Sequence, residues 1–381
     1  MMIAIGKNPL FCLKFYKMKL KELCKSLEQW APLAYQESYD NSGLIVGDES
    51  QEISGVLVSL DCVENVVDEA ISKGCNVIVS HHPIVFKGLK SFTGKNYVER
   101  TVIKAIKNDI ALYAIHTNLD NVHTGVNKML ADKIGLINYK VLVPKKELIK
   151  QLITYVPKEK AEELREALFS VGAGSFGEYS DCSFSVSGMG TFKGSEKSNP
   201  VYGEKGIREE VEEERIEIIF PSYLESKLIS TLKNNHPYEE VAYSVISIVN
   251  ENQNVGSGMI GELSQAQNSL KFLQSLKIKL NAKGIRHTSL VEKNIKKVAI
   301  CGGAGSFLLQ AAIRSNADVF ITGDFKYHEF FDAEEDIIIA DVGHYESEQY
   351  TKDLIADFLS EKFPKFAVHL SEVNTNPINY L

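Results

Sequence analysis

The sequence contains no long apolar run, few cysteines and no excess of positive charge. No apolar stretch approaches the roughly 18 residues that a membrane span needs, so no membrane partner is expected. The six cysteines form no CxxC pair, which favours reduced, buried thiols over a disulfide framework. The net charge of −8, from 42 basic and 50 acidic residues, argues against a large phosphate-binding surface, so nucleic acid is not an expected partner.

The amino-terminal end lacks the features of an export signal. Residues 1–17 have no unbroken apolar core and no small-residue cleavage site, so a cytoplasmic location is expected. From Met18 the sequence predicts an amphipathic helix, and the residues before it are interpreted as an upstream start or a loose tail. With about 150 residues per domain, 381 residues predict about two to three domains.

Two parts of the chain alternate short apolar runs with helical stretches, which predicts mostly parallel sheets covered by helices. The apolar runs are Val56–Leu60, Val77–Val79, Ala111–Ile115, Val298–Cys301 and Val319–Thr322. The two parts superpose without gaps, with Val56 on Val298 and Val77 on Val319. This match predicts a duplicated α/β unit, although unrelated strand–helix–strand units also look alike.

The middle of the chain follows a different order, β-α-β-β-α-β, which is typical of a ferredoxin-like α+β domain. Its predicted elements are the strand Leu152–Val156, the helix Lys158–Ser170, the strand Ile216–Phe220, the helix Ser222–Asn234 and the strand Ala242–Ile248.

Histidines and carboxylates follow three of the predicted strands, as His81-His82, His116 with Asp120, and His344 with Glu348. Ligands of open α/β sheets bind beyond the carboxyl ends of the strands, so these side chains are expected to meet. His344 and Glu348 are four residues apart at the start of a predicted helix and share a face. Three imidazoles and two carboxylates fit a dinuclear site with divalent ions about 3.5–4 Å apart, and Zn, Mn, Fe, Co and Ni all suit such ligands. A histidine taken alone is more often a surface or core residue.

Ligands from both ends of the chain place the first and last parts in one metal-site domain. We therefore predict metal-site halves at 18–145 and 266–381, with an insertion domain at 146–265 between them. This is an α/β fold with duplicated α/β units, interrupted by an α+β domain.

Weaker candidates lie near the same predicted strand ends. His116 and His328 are interpreted as proton carriers. Asn41, Gly303 and Asp324 are interpreted as substrate contacts, with tight turns or plain surface positions as the alternatives. The Gly302–Gly305 turn lacks the Lys-Ser/Thr of a phosphate loop.

Taken together, these motifs resemble the NGG-interacting-factor-three-like family of dinuclear metal-centre proteins, often labelled GTP cyclohydrolase I type 2 homologues. The matching stretches are DNSGL at 40–44, SHHP at 80–83, HTNLD at 116–120, GGAG at 302–305, TGD at 322–324 and GHYESE at 343–348. The resemblance covers nearly the whole chain from about Met18. It implies metal ligands at His81, His82, Asp120, His344 and Glu348, with Glu348 bridging, and a toroidal homohexamer whose metal sites face an internal cavity.

The middle segment resembles the extra domain of the longer bacterial members, which is similar in fold to PII signalling and CutA-like proteins. The matching residues are Gly172-Ala173-Gly174, Gly177, Tyr179 and His236-Pro237-Tyr238-Glu239-Glu240.

The leading hypothesis is a dinuclear metal-dependent hydrolase that acts on a nucleotide or another phosphorylated small molecule, with purine ring opening as the reaction that the family suggests. The alternative is a non-catalytic, hexameric metal- or nucleotide-binding scaffold. A third option is a structural metal site that holds the two halves of the chain together.

Overall fold

The computed structural model describes residues 18–175, 177, 179–290 and 294–381. The expectation for residues 1–17 lies outside this range. Within the described residues, no helix is both long and apolar enough to cross a membrane. The chain divides into two compact units: the first combines the residues up to Val143 with Asn254–Leu381, and the second is Pro144–Gln253.

The described residues contain short strands and helices of two to seventeen residues. The strands are β1 (Gly43–Val46), β2 (Val56–Ser59), β3 (Val77–Ser80), β4 (Ala111–Ala114), β5 (Leu136–Lys145), β6 (Ile149–Pro157), β7 (Phe184–Lys193), β8 (Arg208–Pro221), β9 (Tyr243–Ser247), β10 (Asn252–Asn268), β11 (Arg286–His287), β12 (Asn294–Ala304), β13 (Val319–Gly323), β14 (Ile338–Asp341) and β15 (Val368–Leu370). The α-helices are α1 (Leu20–Trp30), α2 (Glu64–Ser72), α3 (Tyr97–Lys107), α4 (Thr117–Asn121), α5 (Val126–Ile134), α6 (Ala161–Ser170), α7 (Glu225–Asn235), α8 (Ser269–Lys279), α9 (Leu309–Arg314), α10 (His344–Glu348) and α11 (Thr351–Lys362).

The first unit holds two mixed sheets, ordered β1-β4-β3-β2-β15 and β11-β14-β13-β12-β10-β5. The first sheet has four neighbouring parallel strands, β4, β3, β2 and β15, and the second has three, β14, β13 and β12. In each sheet an antiparallel strand, β1 or β11, lies at the edge beside them. Every residue of β2, β3 and β4 is buried, as is expected for parallel strands covered on both faces. The predicted α/β architecture is therefore confirmed.

The two sheets share a register that the sequence match predicts. Val56 lies opposite Val77 in one sheet, and Val298 lies opposite Val319 in the other. The sheets differ at the next strand: β15 pairs with β2 in parallel, whereas β10 pairs with β12 in antiparallel orientation.

Helix α3 illustrates how the local sequence forms the first unit. The Asn96 side chain accepts a hydrogen bond from the Glu99 amide and so caps the first turn. Val102 and Ala105 lie on one stripe of the helix and are buried in the core with Val66 and Val67 of α2. These helices cover this face of the sheet with apolar residues, and the polar residues lie at the strand ends.

The second unit has the strand order β7-β8-β6-β9, with every neighbouring pair antiparallel. Together with the chain order β6-α6-β7-β8-α7-β9, this is the ferredoxin-like arrangement. Apolar residues of α6 and α7 pack on one face of the sheet, around Leu152 and Ile216. The unit ends earlier than the predicted insertion, since residues 254–265 fall in the first unit, where Met259 lies opposite Ile300 of β12.

Candidate metal centre

The predicted ligands all follow strand ends in the first unit, and the structure brings them together. His81 and His82 follow β3 directly, Asp120 lies in α4 after β4, and His344 and Glu348 begin and end α10 after β14. Three sets of donor atoms lie within 4.8 Å of one another: His81, Asp120 and Glu348; His82, His344 and Glu348; and His81, His82 and His116. These buried or half-buried groups could hold a metal ion.

Glu348 lies at the centre of the cluster, and its two oxygens face different histidines. Oε2 is 3.0 Å from His82 Nε2 and 3.1 Å from His344 Nε2. Oε1 is 3.8 Å from the Nε2 atom of His81, which is itself 3.6 Å from Asp120 Oδ1. A carboxylate whose oxygens face two separate donor sets has the position that a ligand shared by two cations requires.

Each of the four imidazoles is oriented through Nδ1 by an oxygen atom. The Nδ1 partners are Asp61 Oδ1 for His82 at 2.7 Å, Asp324 Oδ2 for His344 at 2.7 Å, Asp40 Oδ1 for His116 at 2.7 Å and the Ile115 carbonyl for His81 at 2.9 Å. A ring that donates from Nδ1 to oxygen presents Nε2 as its nitrogen for a metal ion. Metal-binding histidines are commonly held in this way.

Two buried atoms of the cluster have no hydrogen-bond partner. They are His81 Nε2 and Asp120 Oδ1, and the His81 ring is fully buried. Buried polar atoms are rarely left without a partner. A cation between them would satisfy both atoms, so the donor set fits a metal ion.

Charge within the cluster shifts the pKa of its members strongly. Attraction to Glu348 raises the pKa of His344 to about 11 despite burial. Burial alone would lower the pKa of His82, but hydrogen bonds with Asp61 and Glu348 raise it to about 9. Burial would raise the pKa of Glu348, yet His344 holds it well below its usual value. Burial and the nearby Glu348 raise the pKa of Asp120 to about 7.

Gly303 lies against the central carboxylate. Its φ of +63° is in the left-handed region, and an added Cβ would clash with Glu348 Oε1 and lie 3.3 Å from His344 Cε1. The Gly303 amide donates to Ser347 Oγ at 3.0 Å, which ties the end of β12 to α10. Only glycine allows this backbone to approach Glu348 so closely.

The cluster opens into a cavity of about 530 Å³. Exposed rings of Tyr39, Phe86 and Phe307 contribute to its wall, as do residues 376–378 near the carboxyl terminus. No Lys or Arg occurs among the described residues that line it. The cavity therefore combines an acidic and imidazole-rich floor with an aromatic wall.

Of the weaker candidates, some lie at the cluster or its cavity and others do not. Asp324 contacts the cluster because it orients His344, and His116 lines the cavity. His328 is exposed, packs against Tyr327 and Phe331, and does not line the cavity. Asn41 also lies outside the lining, and its side-chain amide donates to the Val85 carbonyl at 2.6 Å.

Sequence reasoning missed three residues that support the cluster: Asp40, Asp61 and Thr375. Asp61 follows β2, so its place beyond a buried strand was an available signal. Asp40 lies in the DNSGL turn, next to the residue that sequence reasoning selected. Thr375 donates from Oγ1 to Asp61 Oδ2, and nothing in the sequence around it predicts this contact.

Comparison with known proteins shows which family the chain resembles. Residues 18–377 match the family model described as Duf34/NIF3 (NGG1p interacting factor 3). A Bacillus subtilis protein named GTP cyclohydrolase 1 type 2 homolog is 38% identical over 367 residues, which cover 95% of this chain and 98% of that protein. A Staphylococcus aureus protein of the same name is 36% identical over 369 residues, which cover 96% of this chain and 100% of that protein.

Solved structures give the same picture for the fold. A Bacillus cereus protein related to NIF3 is 37% identical, with a TM-score of 0.82 over 97% of this chain and 100% of that one. A Staphylococcus aureus protein is 34% identical, with a TM-score of 0.77 over 96% of this chain and 99% of that one.

Proposed function

The chain belongs to the Duf34/NIF3 family, and we propose that it is a hydrolase that depends on two divalent metal ions. The observation that carries the proposal is the position of Glu348 between two sets of donors, beside buried atoms of His81 and Asp120 that lack any other partner. The relatives' name supports a hydrolytic reaction, since ring opening by a cyclohydrolase consumes water.

In this proposal the five side chains form two neighbouring sites. His81, Asp120 and Glu348 would hold one ion, and His82, His344 and Glu348 would hold the other. The geometric support is that each set keeps its donor atoms within 4.8 Å. Nitrogen and oxygen donors in this mixture suit Zn, Mn, Fe, Co or Ni. Elemental analysis of the purified protein would identify which metal is bound.

Two bound cations would supply a nucleophilic water at neutral pH and would polarise the bond that breaks. Around them, the protein's own groups hold and move protons. His116 is the proposed proton carrier, because it lines the cavity and its ring centroid is 5.4 Å from that of His82. Asp40 fixes its orientation through Nδ1, and this contact keeps the pKa of Asp40 below its usual value despite burial.

The proposed substrate is a nucleotide or another phosphorylated small molecule. The rings of Tyr39, Phe86 and Phe307 offer faces on which a planar base can stack. Because the described lining includes no Lys or Arg, a phosphate inside the cavity of one chain would have to be neutralised by the metal ions themselves.

Turnover by metal-loaded protein tests this proposal. Protein reconstituted with each of the five metals is incubated with nucleotides and with the matching nucleosides. Release of inorganic phosphate identifies phosphate ester hydrolysis, and release of formate identifies purine ring opening. We expect turnover to fall by at least about 100-fold in Glu348→Gln, since loss of a shared ligand removes the transition-state stabilisation that the metals provide.

The matched control is Glu361→Gln, an exposed carboxylate on α11 outside the cavity, which should keep full activity. Unchanged turnover in Glu348→Gln would contradict the mechanism. Ligands that bind to the metal-loaded protein and are recovered intact would instead support the alternative, a metal- or nucleotide-binding scaffold.

We also propose that the protein assembles as a homohexamer, on the strength of its motifs' resemblance to the family. Light scattering on purified protein should give a mass six times that of the chain. A monomeric mass would contradict this assembly without affecting the metal-site proposal.

A further inference from the structure

A second cavity, of about 340 Å³, lies entirely within the second unit. Its lining comes from the end of β7 and the following loop, from Tyr155 and Glu213 on β6 and β8, and from residues 238–242 before β9. Because α6 and α7 pack on the face of the sheet that carries Leu152 and Ile216, Tyr155 and Glu213 point to the helix-free face. The cavity shares no lining residue with the cavity at the metal cluster.

Aromatic rings form much of this second cavity. Tyr155, Phe192 and Tyr238 all line it, and the ring centroids of Phe192 and Tyr238 are 6.0 Å apart at an interplanar angle of 56°. Aromatic faces carry the negative part of the ring quadrupole and attract cations, so rings in the wall of a small cavity suit a cationic ligand.

Carboxylates provide most of the charge around this cavity. Glu213, Glu239 and Glu240 line it, and Lys193 is the one cation among its described lining residues. Tyr238 donates its hydroxyl hydrogen to Glu213 Oε1 at 2.8 Å, and Glu213 Oε2 lies against Gly190. A Cβ at Gly190 would lie 2.5 Å from Glu213 Cδ, so the glycine is what allows this carboxylate to lie against the strand.

The HPYEE segment, residues 236–240, has a structural role in the wall of this cavity. His236 donates from Nε2 to the Tyr155 carbonyl at 2.9 Å and accepts from the Tyr238 amide through Nδ1 at 3.1 Å. Burial lowers the pKa of His236, which keeps the ring neutral and suited to one donor and one acceptor role. Glu239 accepts from the Asn199 amide at 2.9 Å and so fastens the loop after β7.

We propose that this cavity binds a small organic cation, namely an ammonium group attached to an apolar body. The carboxylate of Glu213 would pair with the ammonium group while the rings of Phe192 and Tyr238 enclose the apolar part. An anion would meet the excess of carboxylates, and a neutral molecule of the same shape would forgo both the ion pair and the cation–π attraction. The proposal does not depend on the metal site or on hydrolysis.

Three probes of similar shape test the charge requirement on the full-length protein: phenethylammonium, 2-phenylethanol and 3-phenylpropanoate. Ligand-observed NMR titration measures each dissociation constant. We expect saturable binding of phenethylammonium at one site per chain, and affinity at least about tenfold weaker for the alcohol and the carboxylate. Binding should persist in the presence of a chelator, which separates this site from the metal cluster.

Variants locate the site. Glu213→Gln keeps an acceptor for Tyr238 and should weaken phenethylammonium binding by about tenfold, and Phe192→Leu should weaken it by a smaller factor. Glu212→Gln is the matched control, because this exposed neighbour on β8 does not line the cavity. Circular dichroism checks that each variant is folded. Absence of saturation, equal binding of the alcohol, or wild-type affinity in folded Glu213→Gln would each overturn the proposal.

Discussion

A methyl group added at Gly303 should weaken metal binding while leaving every proposed ligand in the sequence. The added Cβ would lie closer than 3.0 Å to Glu348 Oε1, a separation that real Cβ atoms essentially never show, and 3.2 Å from Glu348 Cδ. The clash is with the carboxylate that the two donor sets share. Because α10 holds Glu348 within the buried cluster, the carboxylate can yield only by leaving its place between the histidines.

The magnitude of the effect follows from the geometry of coordination. Relief of the clash requires the Glu348 oxygen to move by at least about 0.6 Å, whereas metal–ligand distances tolerate deviations of only about 0.2 Å. We therefore expect Gly303→Ala to lower metal affinity by about 10- to 100-fold, the range that follows disturbance of groups around a metal site. The left-handed backbone at φ +63° adds a loss of stability of about 1–2 kcal/mol.

The matched control is Gly74→Ala. Gly74 has nearly the same backbone, with φ +69°, but a Cβ there would meet nothing within 4 Å. Both variants carry the same cost of a left-handed backbone, so the difference between them isolates the clash with Glu348. Metal affinity is measured by competition with a chromogenic chelator. Equal metal affinity in Gly303→Ala and Gly74→Ala would refute the reasoning.

Three further predictions concern other residues. Thr375→Val removes the hydroxyl donor to Asp61, the residue that orients His82. Metal affinity should therefore fall several-fold in the same chelator competition and recover in Thr375→Ser. Unchanged affinity would show that this contact does not position the His82 ring. Burial raises the pKa of Cys62 to about 12, so its thiolate fraction at pH 7.5 is about 3,000-fold lower than that of an ordinary thiol. Peptide mapping after brief iodoacetamide treatment should therefore find the half-exposed Cys182 labelled and Cys62 unlabelled. Cys62 should become labelled only as the pH approaches 12 or the protein unfolds. Phe320→Ala empties a fully buried position of β13 and should lower the free energy of unfolding by about 3–5 kcal/mol in urea titration, and a change below 1 kcal/mol would contradict its place in the core.

The sequence predicts the α/β fold and the meeting of the five proposed ligands because both depend on local patterns. Buried apolar runs such as Val77–Ser80 predict parallel strands. Polar residues that follow such strands lie at the carboxyl edge of the sheet. The four-residue spacing of His344 and Glu348 predicts a shared helical face, and α10 confirms this helix.

The supporting residues of the site depend on contacts that no local pattern encodes. Thr375 and Asp61 are separated by 314 positions, and they meet only because the chain after β15 returns to the cavity. His328 shows the converse case: it follows β13 in the sequence, but it lies in the 3₁₀ helix Tyr327–Ala333 and is exposed. Proximity to a strand end is therefore not a sufficient signal for membership of this site.

The measurement that tests the central claim most directly is the metal content of the protein itself. The chain is purified without chelators and without nickel affinity resin, and bound metals are counted by plasma mass spectrometry in the wild type, in Glu348→Ala and in the surface control Glu361→Gln. About two divalent ions per chain in the wild type and the control, with a clear loss in Glu348→Ala, is the predicted result. No bound metal in the wild type after reconstitution, or full metal content in Glu348→Ala, would contradict a metal centre built around this carboxylate.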